Sequence, residues 1–253
     1  MLGACRAGRA RRPGAGPVAG SPGGWRMPCE THPHRLTYMA WPTRRIWGPY
    51  TAGVRGDIAG IDLGFNGWGG KQVHDRDGRV ARRILAGEGI ERIPAPIVGE
   101  GGAVEVDGQG TLMATESSLV NANRNPGKSR GDIEAALKTL FGVTTVLWVK
   151  GIKGKDITDC HIDALARFSE PGVVVMSTPD EKAPWAKIYE QAHGVLSEAL
   201  DGRGRRLEIV ELPGPVDIGW RGPGRAVVQV AVDALGEGGG GIHCSTQQMP
   251  KPT

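Results

Sequence analysis

Three side chains of this sequence could share one piece of chemistry: His161 and Asp163 in "CHIDALARF", and Cys244 in "GGGGIHCSTQQMP", residues 238–250. A thiol becomes a nucleophile when a neighbouring imidazole or cation favours its thiolate. A carboxylate beside it can hold a cationic group in place. On a strand, His161 and Asp163 would face the same side, being two residues apart. The glycines ahead of Cys244 would let another group approach its backbone closely. A cysteine and a remote histidine brought together by the fold is the arrangement thiol catalysis uses. A buried structural histidine and an inert cysteine is the alternative that spacing alone leaves open. Glu100, in "GEGGAVEVDGQGT", stands beside a double glycine, where it is either a carboxylate at a pocket wall or a solvated loop acid. Asn66 and Trp68, in "FNGWGG", flank another double glycine. That indole could stack on a flat cation or belong to the core.

Other chemistries fit poorly. Gly236, Gly238 and Gly241 satisfy G-x-G-x-x-G, but a dinucleotide site also needs a helix and a second strand with an acid beyond it. Only residues 242–253 follow. A phosphate-binding G-x-x-x-x-G-K-[S/T] is absent. Cys160-His161 and His243-Cys244 invite a zinc reading, yet adjacent strand residues point to opposite faces. Each pair then offers one ligand where structural zinc takes four, so no metal is expected.

Composition sets the background. The chain has 253 residues, 39% hydrophobic and 23% charged, as in a soluble globular protein. Its 41 glycines and 18 prolines imply many tight turns. The net charge of +4 is local: Arg6, Arg9, Arg11, Arg12 and Arg26 precede the first acid, Glu30. No basic stripe with interleaved aromatics follows, so nucleic acid is not an expected partner. No apolar run is long enough to span a bilayer, so neither is a membrane. Cys5, Cys29, Cys160 and Cys244 lack framework spacing and read as reduced cytoplasmic thiols. Residues 1–26 read as a disordered Arg/Gly/Pro-rich tail, with an organellar transit peptide as the alternative and Met27 as another natural start. Residues 27–253 read as a single catalytic domain.

The elements that must position the candidates are short. Residues 34–42 read as a first strand, residues 57–70 as a strand entering a glycine loop, and residues 102–117 as a hairpin turning at Asp107-Gly108. Residues 129–142 form a helix, with Ser129 as cap and Ile133, Leu137 and Leu140 on one face. Strands follow at 144–150, 160–168 and 172–177, then a long amphipathic helix at 183–200, then strands at 207–213 and 225–232. The class is mixed α/β without a regular βαβ series. The hairpin–helix–strand grouping at 103–149 could repeat in structure, though no repeat shows in the letters.

Taken together, "HRLTYMAWP", "IDLGFNGWGG", "GEGGAVEVDGQGTLMATESSLVNANRNPG", "KDITDCHIDALARFSEPGVVV" and "GGGGIHCSTQQMP" resemble, in that order, the agmatine deiminase group, which includes the bacterial-type peptidylarginine deiminases. The resemblance covers about half the chain. It implies the pentein fold, a five-bladed α/β propeller with its site along the central axis. It implies that agmatine and water give N-carbamoylputrescine and ammonia on the way to putrescine and other polyamines, without metal or organic cofactor. It implies a small guanidinium substrate as partner, and a homodimer. Carried over by motif, Cys244 is the nucleophile, His161 the general acid and base, and Asp163 the carboxylate that grips the guanidinium. Glu100, Trp68 and Asn66 are substrate-pocket residues. Free arginine and peptidylarginine carry the same guanidinium and are the alternative substrates. An inactive shortened homologue, or a module that binds cationic amines, is the third reading.

The chain departs from the family pattern in four places. Between "MAWP" and "FNGWGG" the family carries a longer segment ending in Trp-x-Arg-Asp-x-Gly-Pro, whose Asp is a second guanidinium-binding carboxylate; here "RIWGPY" contains no Asp. A blade with a Ser-Tyr-x-Asn strand is missing after residue 217. The propeller is therefore expected to lack parts of two blades. The family usually has Gly where this chain has Cys160, and Asn where it has Gly241.

Overall fold

The computed structural model describes residue 27 and residues 34–39, 50–54, 57–178, 185–213 and 246–250. The predicted strand at 225–232, residues 1–26, and Cys244 with its glycine run lie outside the described residues. Along the chain run β1 (His34–Met39), β2 (Tyr50–Val54), β3 (Asp57–Asp62), the single turn α1 (Gly67–Gly70), α2 (Val80–Glu88) and β4 (Glu91–Pro94). Then come β5 (Val104–Val106), β6 (Thr111–Thr115), the turn α3 (Glu116–Leu119), α4 (Arg130–Phe141) and β7 (Thr145–Val149). Last are β8 (Ala166–Glu170), β9 (Val173–Thr178), α5 (Ala186–Glu198), β10 (Glu208–Pro213) and β11 (Thr246–Pro250).

The grouping suspected at 103–149 does repeat. In each of three sheets an antiparallel hairpin is followed by a helix and then a strand parallel to the hairpin's second member. The pairs are β2–β3 with β4, β5–β6 with β7, and β8–β9 with β10. A helix is needed at each return because parallel neighbours require a long crossover. The remaining pair joins β1 to β11, antiparallel, with Tyr38 opposite Gln247. These blade-like units agree with the expected α/β propeller class. The described residues do not themselves close a five-bladed ring.

Local chemistry explains the central unit. Asp107 closes the β5–β6 turn by accepting the N–H groups of Gln109 and Thr111 at 2.7 and 2.8 Å, and Gly108 supplies the left-handed backbone there. Helix α4 opens on a capping box, with Ser129 accepting from the Asp132 N–H and Asp132 accepting from the Ser129 N–H. It stops at left-handed Gly142. Between these caps Ile133, Leu137, Leu140 and Phe141 fall on one stripe, and all four are buried. Strand β6 is buried along its whole length. Its side chains alternate between two cores, Leu112 and Ala114 joining one and Met113 the other. In the first unit, Gly60 of β3 leaves the space that the fully buried Leu85 of α2 fills.

One expectation fails in detail. Residues 160–165 are not strand: Ile162–Ala164 form a 3₁₀ turn and β8 begins at Ala166. Backbone chemistry dictates this. Asp156 accepts the N–H of Cys160 at 3.1 Å, and Asp159 and Cys160 both take left-handed φ, 62° and 67°. No strand can run through such a turn. Among the described residues, no helix is long and apolar enough to cross a membrane.

Candidate active site

Residues 63–70, 95–102, 116–129 and 150–165 leave the carboxyl ends of β3, β4, β6 and β7. Ligand sites of α/β sheets form outside those ends. Here the four segments are stitched together mainly by side-chain amides acting as backbone substitutes. Asn125 accepts from the Val98 N–H at 2.9 Å and donates to the Val98 and Leu119 carbonyls at 2.9 and 3.0 Å. Asn66 accepts from the Gly69 N–H at 2.8 Å and donates to the Asn123 carbonyl at 3.0 Å.

His161 and Glu100 meet at the centre of this assembly. Both are buried, and Nε2 of His161 stands 3.1 Å from Oε2 of Glu100. A carboxylate can only accept, so Nε2 carries the proton. That fixes the tautomer and leaves Nδ1 as the nitrogen that takes or gives a proton. Nδ1 is buried without a hydrogen-bond partner among the described residues, an arrangement that suits a proton-transfer group rather than a structural one.

Asp163 arrives at the same place, though by a turn and not by strand alternation. A Cβ built on Gly102 would collide with Oδ2 of Asp163 and lie 2.7 Å from Nδ1 of His161. The imidazole nitrogen and the carboxylate therefore both press on the bare backbone of Gly102. Glycine at 102 is a packing requirement of the site, which accounts for the second glycine of the pair in "GEGG".

Glu100 has a second partner that the sequence reading missed. Arg124, its side chain fully buried, donates through Nε to Oε1 and Oε2 of Glu100 at 2.7 and 3.0 Å. Its other nitrogens reach Asp159 Oδ2 at 2.7 Å, Asn123 Oδ1 at 3.1 Å and the Thr158 carbonyl at 3.0 Å. Lys71 adds a second cation on Asp159, 2.8 Å from Oδ2. Burial pushes the Asp159 carboxyl up, but hydrogen bonds from Lys71, Arg124, Gly154 and Asn123 outweigh it and hold the group well below the usual carboxylate range. The only signal available beforehand was the polar density of "NANRNP", which does not say which residue each side chain meets.

The other candidates are placed as follows. Trp68 is 1% exposed with left-handed φ of 57°, and its ring meets the edge of Phe65 at 5.1 Å. Its neighbour Gly69 is packed so tightly on Asn123 that any side chain would overlap it. Cys160 is buried, and burial pushes its thiol up to about 11. A thiol held in its neutral form is a poor nucleophile.

Known proteins resemble this chain in sequence and in fold. The Porphyromonas-type peptidyl-arginine deiminase family matches residues 45–222. A Streptomyces coelicolor protein provisionally named an agmatine deiminase is 32% identical over 258 residues, covering 84% of this chain and 76% of its own length. The agmatine deiminase of Medicago truncatula is 40% identical over 168 residues, 63% of this chain. The present chain spans only 45% of that plant protein and 52% of a Shewanella relative. In fold, the chain is similar to the agmatine deiminase of Enterococcus faecalis, with a TM-score of 0.78 at 24% identity, covering 94% of this chain and 100% of that one.

Proposed function

The chain belongs to the Porphyromonas-type peptidyl-arginine deiminase family, and from that premise we propose that it hydrolyses the guanidinium of agmatine to N-carbamoylputrescine and ammonia. One observation carries the reading: a buried histidine, held by Glu100 through Nε2, presents its other nitrogen beside the Asp163 carboxylate over Gly102. A general base and an anion at one point fit a planar cation that must be gripped and must exchange protons.

In the proposed reaction Asp163 pairs with two N–H groups of the guanidinium and holds its carbon against the Cys244 thiolate. Sulfur adds to that carbon, and an S–C bond forms. Nδ1 of the protonated His161 gives its proton to the departing nitrogen as the C–N bond breaks and ammonia leaves. The neutral imidazole then takes a proton from water, whose oxygen attacks the thiouronium carbon. The S–C bond breaks, the thiolate returns, and the urea product departs. The balance is agmatine plus water giving N-carbamoylputrescine plus ammonia. Glu100 keeps the ring oriented throughout, and Trp68 and Asn66 build the pocket wall. Strand β11 begins two residues after Cys244.

Agmatine is preferred over arginine and peptidylarginine because relatives named as agmatine deiminases match this chain and its "NRNP" and "HCSTQQMP" segments resemble that group most. The product places the chain in polyamine synthesis toward putrescine, and its cysteines without framework spacing suit the cytoplasm. The test is ammonia release from agmatine, arginine and an arginyl peptide, with and without a thiol-alkylating reagent. Release from agmatine that vanishes on alkylation and in Cys244→Ser supports the reading. Amine binding without ammonia release would instead make the chain a binding module.

A further inference from the structure

We propose that Arg124 is a positioning residue for the same reaction, fixing His161 from two directions and limiting how strongly Glu100 favours its protonated form. The inference rests on the deimination reading above. Through Nε, Arg124 holds the carboxylate that holds the ring, at 2.7 and 3.0 Å. Through Nη1 and Nη2 it holds Asp159 and Thr158, two and three residues before His161 in the chain, at 2.7 and 3.0 Å. Residues 159 and 160, which lead from those anchors into the histidine, are consecutive left-handed non-glycine residues, φ 62° and 67°. Such a backbone persists only where partners over-determine it. One planar guanidinium therefore sets both the ring and the backbone of His161. A lysine ammonium is a point charge and cannot reproduce that fork.

Charge gives the second half. Among the described residues, Glu100 meets the His161 ring, Asp163 lies with it over Gly102, and Asp156, Asp159 and Cys160 stand on its own loop. Among the described residues, Arg124 pairs with Glu100 and Asp159, and Lys71 with Asp159. Without Arg124, Glu100 keeps only the imidazole as a cationic partner among the described residues, and the protonated ring is favoured.

The experiment compares the parent chain with Arg124→Gln and Arg124→Lys. Ammonia release from agmatine is followed as kcat and KM across pH, and the His161 imidazole is titrated by NMR, assigned by its loss in His161→Gln. In Arg124→Gln the acidic limb and the imidazole midpoint move up by about one pH unit relative to the parent. There kcat falls tenfold or more, by roughly the cost of a misplaced group, while KM stays within about threefold. In Arg124→Lys the limb stays with the parent while kcat falls similarly. A folded Arg124→Gln with an unmoved limb and parent-like kcat overturns the proposal, as does an Arg124→Lys limb that moves as far as the glutamine variant's. Should Arg124→Gln fail to fold, Arg124→Lys decides alone: a tenfold kcat loss supports the proposal, and parent-like kcat overturns it. If the parent releases no ammonia from any guanidinium substrate, the deimination reading falls, and the imidazole midpoints still decide this inference separately.

Discussion

Adding one methyl group at Gly102 tests the site most directly. The backbone of Gly102 lies outside the left-handed region, so alanine can adopt it without strain. The new Cβ would collide with Oδ2 of Asp163, and it would stand 2.7 Å from both Asp163 Cγ and His161 Nδ1, where ordinary contacts are 3.4–4 Å. Both groups must retreat by roughly 1 Å, and a displacement of that size costs about a hundredfold in rate. In barrier terms that is about 2.7 kcal/mol. Stability responds much less. The unfolded chain loses freedom worth about 0.4–1 kcal/mol, and local crowding offsets that gain. Gly102→Ala is therefore expected to melt within a few degrees of the parent while kcat/KM for agmatine falls about a hundredfold. The assay is ammonia release coupled to glutamate dehydrogenase, with thermal melts by circular dichroism on the same samples. Gly87→Ala is the control: it sits in helix α2 with nothing within 4 Å of a new Cβ, so it should gain about 0.5–1 kcal/mol and keep full activity. A folded Gly102→Ala retaining a third or more of the parent activity would refute the idea that His161 and Asp163 act together across this glycine.

Two further outcomes follow from the buried charges and the buried thiol. Asp159 has its carboxyl held below the unfolded value, so its stabilisation is present above a pH of about 4 and is lost as pH falls further. Asp159→Asn leaves Lys71 and one arm of Arg124 facing a neutral amide while Arg124 keeps Glu100, which should cost about 1–3 kcal/mol at neutral pH and flatten the acid limb of a melting-temperature-against-pH curve; an unchanged limb would remove Asp159 as its source. Cys160, pushed up to about 11 by burial, should stay unlabelled by iodoacetamide at pH 8 in the native protein and become labelled in guanidinium chloride, read by mass spectrometry of the peptide containing it.

The sequence was most legible where local rules act alone. Ser129 and Gly142 bound helix α4 because caps are decided within one turn, and Asp107-Gly108 turns the hairpin for the same reason. The proximity of His161 and Asp163 was anticipated, but from strand alternation; the structure achieves it with a turn whose signal, a left-handed Asp-Cys pair, is not one that propensity suggests. For Glu100 the sequence allows a carboxylate at a pocket wall or a solvated loop acid. Its bonds to Arg124 and His161, in segments 24 and 61 residues away along the chain, depend on how four loops meet. No periodicity encodes such a meeting. Arg124 was invisible for that reason: nothing in "NRNP" distinguishes a surface arginine from one with every nitrogen engaged.

Cys160 shows how the frame dominates the local residue. Its φ of 67° is a conformation that glycine, the residue the family pattern gives this position, adopts freely. A side chain there costs about 1–2 kcal/mol. The conformation holds because each part of the residue is fixed from elsewhere. The Asp156 carboxylate takes its N–H at 3.1 Å, the Thr115 hydroxyl donates to its carbonyl at 2.7 Å, and its thiol packs into the core with Leu165, Met176 and Ala192. Those three anchors come from its own loop, from the end of β6, and from the core beneath α5. Substitution at 160 is therefore expected to change the stability of the turn and leave its path intact. His161 is delivered to Gly102 by the surrounding framework, which holds residue 160 in a glycine-like conformation although it carries a cysteine side chain.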